Sequence, residues 1–351
     1  MMAASVTADG WHAAVAGAPR RRIRRGLVGA LLAAGAACGG DGRGEPVRID
    51  VRSGAPLAEV ADSLASNGIV RSSFLFRLYA RFTGDATRIR PGPYAFQRGA
   101  SWRGILDDLV AGRILTARIT FPEGFGVAEI APRIAAFSGE NADSLLAVLS
   151  DSATARRFDV PGPTMEGYLY PATFTVPIDA SAHVIIAAAV AAYHAVWDVP
   201  RRARADSIGM TEREVTTLAS IVEKEARQRD EMPRIAAVYR NRLRIGMPLQ
   251  ADPTVQYALG GHRERLLFAD IERVRDHPYN TYHRQGLPPG PIGAPSDRAI
   301  DAVLAPEDTD VLYFVARDDG THVFSRTLAE HNRAIAAIRR ERAARRSPGR
   351  P

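Results

Sequence analysis

The chain has 351 residues, 46% apolar and 24% charged, with 30 Gly and 23 Pro. That is enough for two or three domains with buried cores, and it excludes a wholly disordered, collagen-like or coiled-coil protein. The net charge of +7 would ordinarily point to nucleic acid, but five arginines between 20 and 25 and a net +5 in residues 339–351 more than account for it. Removing these ten charges leaves about −3 for the body, which has no basic patch interleaved with aromatics, so no nucleic-acid partner is expected.

The arginines at 20–25 precede an apolar run from Leu27 to Ala37 that ends at Cys38, the single cysteine. A run of that length suits the core of a secretory signal and falls short of the ~17–25 residues needed to span a bilayer. Small residues before a Cys resemble a bacterial lipoprotein signal, although Gly35 stands where such signals prefer Leu. Cleavage, lipidation at Cys38 and an uncleaved anchor stay open. Each places the body outside the cytoplasm, held at the cell membrane or facing the periplasm or exterior. Residues 1–38 are thus a signal peptide or membrane anchor, and 39–46 (GGDGRGEP) a Gly-rich linker.

A repeat follows. Ile49, Val51, Gly54, Leu57, Glu59, Val60, Ala61 and Leu64 return as Ile119, Phe121, Gly124, Val127, Glu129, Ile130, Ala131 and Ile134, with Tyr94, Phe96, Gly99, Trp102, Ile105, Leu106 and Leu109 as a weaker copy between. Each copy alternates like a strand, turns at Gly and continues with helical i, i+3, i+4 spacing. The first two copies bracket a helix over 72–82, whose Phe74, Phe76, Tyr79 and Phe82 are expected in the core. Strand, helix, helix, strand over 47–97 resembles a LysM-like module, a fold associated with N-acetylated cell-wall sugars, and the glycan-binding region is drawn as 47–137. Residues 138–205 form an Ala-rich helical connecting region.

Thr211 is a good N-cap, with Glu214 three residues on completing a capping box. In the helix V-T-T-L-A-S-I-V-E-K-E-A, Leu218, Ile221 and Val222 form one stripe, and Glu225 falls within ~60° of all three, while Glu223 points ~200° away from it. Glu225 is therefore the carboxyl set among apolar neighbours. Lost hydration would raise its pKa and keep it protonated near neutral pH, as a general acid for glycosidic cleavage requires; a Glu that closes the helix end and pairs with Arg or Lys is the alternative, which the helix by itself leaves open.

Downstream come A-A-V-Y-R-N-R-L-R-I-G-M-P-L-Q-A-D-P-T-V-Q-Y-A-L-G (236–260), P-Y-N-T-Y-H-R-Q-G-L-P-P-G-P-I (278–292) and V-L-Y-F-V-A-R-D-D-G-T-H-V-F-S-R-T-L-A-E-H-N (311–332). With L-A-S-I-V-E-K-E-A and M-E-G-Y-L-Y-P-A-T-F (165–174), these blocks resemble the endolytic murein transglycosylase family, MltG or YceG-like, over most of the chain after residue 46. The resemblance implies an α+β chain: an N-terminal LysM-like βααβ module with repeated strand-helix units, then a helix-rich α+β catalytic domain over 206–338. It implies a lyase that cuts the MurNAc-GlcNAc β-1,4 bond inside peptidoglycan strands and leaves 1,6-anhydro-MurNAc ends. One Glu serves as acid and then base, so no second carboxylate is required. The pattern Ile221-Val222-x-x-Glu225 resembles the helix-borne Glu of related soluble lytic transglycosylases, and the apolar stripe agrees with Glu225; Glu223 is the second candidate, since a cleft can also lie beside Ala219 and Ser220.

Gln250, Asp252, Thr254, Tyr279, Asn280 and Tyr282 are the expected substrate-binding residues, with a helix N-cap as the alternative for Asp252 and a turn for Asn280. His322, His331 and Asn332 match the closing block and take packing and capping roles. Tyr313–Ala316 and 321–325 read as a hairpin around Asp319-Gly320, and 339–351 as a disordered Arg-rich tail. The eight His show no metalloprotease spacing, and no phosphate loop or nucleophile elbow occurs, so neither metal nor cofactor is expected. Peptidoglycan strands are the implied partner, with cell-wall synthesis enzymes beside them. A non-catalytic peptidoglycan-binding scaffold and a hydrolytic muramidase are the rival readings.

Overall fold

The computed structural model describes residues 45–261 and 263–346. The signal or anchor segment, Cys38, most of the linker and the last residues of the tail lie outside the described residues. The described chain is α+β, largely helical, with three two-stranded sheets. Its contacts gather into two units, one holding residues 45–118 with Thr175–Ala180, the other Ile119–Phe174 with 181–346.

Unit one contains β1 (Val47–Val51), α1 (Leu57–Ser66), α2 (Ser73–Thr83), β2 (Gly92–Phe96) and α3 (Trp102–Ala111). The strands pair antiparallel, Val47 opposite Phe96 and Val51 opposite Gly92. The first two repeat copies supply its core: Ile49, Val51, Val60, Ala61 and Leu64 from one, Tyr94, Phe96, Trp102, Ile105, Leu106 and Leu109 from the other. Gly54, Gly99 and Gly124 hold the same place in the three copies, and their φ values of 76°, 77° and 75° are left-handed, a conformation open to Gly and costly for residues with a Cβ. The sequence repeat is therefore a repeated strand, left-handed turn and helix.

Two expectations change here. Phe76 and Tyr79 of α2 face the core and meet Trp102, with ring centroids 6.2 and 6.0 Å away, but Phe74 and Phe82 are 65% and 58% exposed. Those two positions lie on the opposite side of the helix, because Phe76 and Ala80 already fill the side that faces α1 and the core. The third repeat copy, drawn within a region ending at 137, packs in unit two from Ile119 onward, and the expected connecting region over 138–205 shares that unit except for Thr175–Ala180.

Unit two takes over the chain within β3 (Thr116–Thr120), which pairs with β4 (Thr173–Pro177). Between them lie α4 (Val127–Ser138), α5 (Ala142–Ser150) and α6 (Ser152–Arg157). Then follow α7 (Ala182–Val196), α8 (Val199–Ser207), α9 (Glu212–Glu225), α10 (Met232–Arg244), α11 (Asp252–Ala258), α12 (Phe268–Arg273) and α13 (Asp297–Leu304). The hairpin β5 (Tyr313–Ala316) and β6 (His322–Ser325) leads into α14 (Leu328–Arg346). Helix α9 is central and packs on α8, α10, α11 and α13. Among the described residues no single helix is long and apolar enough to cross a membrane.

The tail expectation is also corrected: residues 339–346 continue α14 as helix. Arg and Ala favour helix, and Arg342 Nε donates to Asp318 Oδ1 at 2.7 Å, tying the helix to the hairpin turn. His322 and His331 pack on that hairpin. His322 Nδ1 lies 2.7 Å from Glu231 Oε2, and the His331 ring stacks on Tyr313 with centroids 5.3 Å apart.

Candidate functional site

Helix α9 begins as its sequence predicts: the Thr211 N–H donates to Glu214 Oε2 (2.8 Å) and the Glu214 N–H to Thr211 Oγ1 (3.2 Å). It ends at Glu225 because Ala226 turns extended (φ −75°, ψ 111°). Every residue from Val215 to Val222 is buried, so the helix is covered all round rather than along one stripe. Its polar members are satisfied locally. Thr216 and Thr217 donate to carbonyls one turn back, while Ser220 donates to Thr217 O and accepts the Ile292 N–H at 3.0 Å. A rigid helix thus delivers three side chains, Glu223, Lys224 and Glu225, to three different surroundings.

Glu223 Oε2 accepts the Ser296 N–H at 2.9 Å and the Ser296 hydroxyl at 2.5 Å. Ser296 is the N-cap of α13, accepting the Ala299 N–H at 3.2 Å. One oxygen of Glu223 therefore fixes the start of a packed helix. Replacing Glu223 by Ala is expected to cost about 1–2 kcal/mol of stability, the size of a lost cap plus a charge-assisted hydrogen bond. Thermal unfolding checks it, and an unchanged melting temperature would show that the contact contributes nothing.

Glu225 is partly buried, and its Oε1 accepts the hydroxyl proton of Tyr239 at 2.8 Å. Burial pushes its pKa up to about 7; the bond from Tyr239 opposes that, the Asp252 charge adds to it, and Arg242 opposes it. Tyr239 is itself fully buried on α10, its ring edge-on to Phe314 with centroids 5.7 Å apart. Arg242, one turn on, is buried and held by carbonyls, with Nε on Leu312 O at 2.7 Å and Nη1 on Leu249 O at 2.6 Å. Burial pushes its pKa down, yet it keeps a cation beside Glu225 and bolts the 245–251 loop to α10.

That loop carries the next expected residues. Gln250 sits at a left-handed φ of 49°, and its N–H donates to Thr281 O. Asp252 starts α11 without acting as its N-cap, which is Ala251; its Oδ1 instead accepts the Tyr282 hydroxyl at 2.5 Å. Gln250 and Asp252 are exposed and Tyr279 and Tyr282 partly so. Thr254 and Asn280 are corrected. Both are wholly buried, and hydrogen bonds inside the fold use their polar groups. Thr254 donates to Ala251 O and so must accept from Thr281 Oγ1, which in turn accepts the Ala251 N–H. The Asn280 amide donates to Ile271 O and Val274 O and accepts the Tyr282 N–H. Polar residues beside prolines and turns read as surface; here they are the internal stitching that presents Asp252 and Tyr282.

Lys224 points to a second pocket of about 390 Å³, lined also by Gly126, Glu166, Pro253, Gln256 and Tyr257. Glu166 is 3% exposed and receives the Val127 N–H at the start of α4; burial pushes its pKa up to about 7, against the pull of Val127, Lys224 and Tyr257. Tyr257 in turn packs on Tyr279, with ring centroids 4.7 Å apart. A larger depression of about 1020 Å³ beside Arg213, Arg240 and Pro289 includes neither Glu223 nor Glu225.

Tyr239, Arg242 and Glu166 had no role in the sequence reading. The available signal was a Tyr and an Arg spaced i, i+3 on the apolar face of α10, and a Glu inside M-E-G-Y-L-Y. Two carboxyls are thus raised to about 7, Glu166 and Glu225, and of these Glu225 is the one oriented by the phenol of Tyr239 and bordered by the polar patch at Asp252 and Tyr282. That carboxyl can give a proton to, and take one from, a bound substrate.

A model of the YceG-like family matches residues 49–337. An endolytic murein transglycosylase of Bacillus subtilis is 34% identical over 305 residues, covering 82% of this chain and 83% of its own. A Streptococcus pneumoniae endolytic murein transglycosylase is 28% identical over 83% of this chain, which spans 58% of that longer relative. Among solved structures, a yceG-like protein of Listeria monocytogenes superposes with a TM-score of 0.57 at 31% identity, covering 83% of this chain and 99% of the other. With a family match over most of its length, the chain belongs to the YceG-like family.

Proposed function

We propose that the protein is an endolytic peptidoglycan lytic transglycosylase that cuts the β-1,4 bond between MurNAc and GlcNAc and leaves 1,6-anhydro-MurNAc ends, with Glu225 as the acid and then the base. The observation that carries this reading is the Glu225–Tyr239 pair: a partly buried carboxyl, raised to about 7, on a phenol 2.8 Å away. Protonated Glu225 gives its proton to the glycosidic oxygen as the C1–O bond breaks. The resulting carboxylate removes the proton of the muramyl C6 hydroxyl, whose oxygen bonds to C1, and Glu225 is restored without water. Glu223, bonded to the Ser296 cap, stays outside this cycle.

Asp252 and Tyr282, bonded to each other beside Glu225, together with Gln250 and Tyr279, bind sugar hydroxyl and acetamido groups. The βααβ arrangement of unit one supports a LysM-like module that holds the glycan strand. The N-terminal segment holds the protein at the cell membrane with its body outside the cytoplasm, beside cell-wall synthesis enzymes. Mass spectrometry of digested sacculi tests the reading: anhydro ends are expected. Reducing ends would make the protein a hydrolytic muramidase, and no release would make it a binding scaffold.

A further inference from the structure

Helix α2 is apolar on two opposite sides. Phe76 and Ala80 are wholly buried against unit one's core, while Phe74, Leu75, Leu78 and Phe82 are 65%, 43%, 41% and 58% exposed. At 100° per residue these four fall within a 100° arc centred roughly 170° from the buried pair. A helix apolar all round normally has both faces covered, so this stripe calls for a partner. Arg77 and Arg81 fall along one margin of the stripe, and Arg71 precedes the helix. None of the three has an ion-pair or hydrogen-bond partner among the described residues. The nearest acid in sequence, Asp85, is paired with Arg88 at 2.9 Å.

We infer that this face of α2 lies in the headgroup region of an anionic bilayer, its Phe and Leu side chains in the acyl boundary and its arginines on lipid phosphates. Three features select lipid as the occupant. A convex stripe carrying aliphatic as well as aromatic side chains suits a planar interface, whereas sugars are bound in concave sites with converging polar groups. The unpaired arginines complement an anionic surface. Only eight residues separate Cys38, at the end of the apolar run, from Val47 at the start of β1, which holds unit one within about 30 Å of whatever anchors that run. The inference rests on the membrane-anchoring part of the proposed function, which it extends by giving unit one a fixed face toward the bilayer.

The test places the photo-crosslinker p-benzoylphenylalanine at position 82 of the full chain, reconstituted into vesicles of phosphatidylethanolamine with phosphatidylglycerol. Lipid adducts are expected on irradiation. Arg77→Gln and Arg81→Gln should each lower their yield by about fivefold, and vesicles of phosphatidylcholine alone should lower it further. Because the substituted positions lie on the solvent side of the helix, the melting temperature should stay that of the parent. A chain that remains with the vesicles but forms no lipid adduct at position 82 overturns the inference and leaves anchoring intact, as do adducts formed only with glycan or protein when sacculi or membranes are added. A chain that does not partition into vesicles at all overturns the anchoring reading as well.

Discussion

Glu225→Gln is expected to lower the rate of anhydro-muropeptide release by about 10²–10⁴-fold, the range that a positioned general acid supplies. The amide keeps the shape of the carboxyl and still accepts the Tyr239 hydroxyl, so the 2.8 Å contact and the end of α9 survive. What disappears is the proton, which an amide cannot donate near neutral pH, and with it the base for the second half of the reaction. Glu223→Gln provides the control on the same helix. It weakens the Ser296 contact and lowers the melting temperature, but release of anhydro ends should continue. Quantitative mass spectrometry of sacculi treated with each variant, alongside circular dichroism melts, separates the two carboxyls. Undiminished release by the Glu225→Gln protein, or loss of release by a folded Glu223→Gln protein, would reverse the assignment.

The two carboxyls also show how far the residues alone could be read. Local signals carried well: the capping box of Thr211 and Glu214, the Gly-centred repeat and the hairpin at Gly320 each depend on neighbours a few residues away, and each stands in the structure where its spacing predicts. The Ile221-Val222-x-x-Glu225 pattern and an apolar stripe both favour Glu225, yet α9 is buried all round from Val215 to Val222, so the stripe by itself does not rank the two sides. The distinction comes from what faces each carboxyl. Ser296 and Tyr239 lie 73 and 14 residues from their partners. Contacts at that separation leave no periodicity to read. The same reason hides Arg242, whose partners are loop carbonyls, and Glu166, whose partner begins a helix 39 residues earlier. Thr254 and Asn280 were misplaced for the converse reason: polarity and turn composition indicate hydrogen bonding, but not whether the bonds face substrate or close a loop from within. In α2 the spacing predicts the helix, but periodicity does not say that Phe76 and Ala80 alone fill its core-facing side and leave Phe74 and Phe82 exposed.

Tyr239→Phe should change both the rate and its pH dependence. If protonated Glu225 starts the reaction, kcat/KM falls as pH rises through about 7, where that carboxyl loses its proton in the free protein. The Tyr239 hydroxyl donates to the carboxyl and so favours its ionised form, holding its pKa below the level that burial alone would set. Phe removes the donor and keeps the ring against Phe314. The pKa of Glu225 then rises, and the alkaline limb of the profile moves to higher pH. A carboxylate freed from its phenol is the stronger base, so the second proton transfer does not suffer from the change. The rate falls because the carboxyl is no longer held in one rotamer, and misplacement of a reacting group by about 1 Å costs on the order of 100-fold. A loss of packing alone would lower kcat and leave the limb in place, and Tyr239→Phe activity with an unshifted limb would remove Tyr239 from the site. A profile in which kcat/KM instead rises with pH through about 7 would mean that the ionised carboxylate is the starting form, and the order of acid and base in the cycle would have to be inverted.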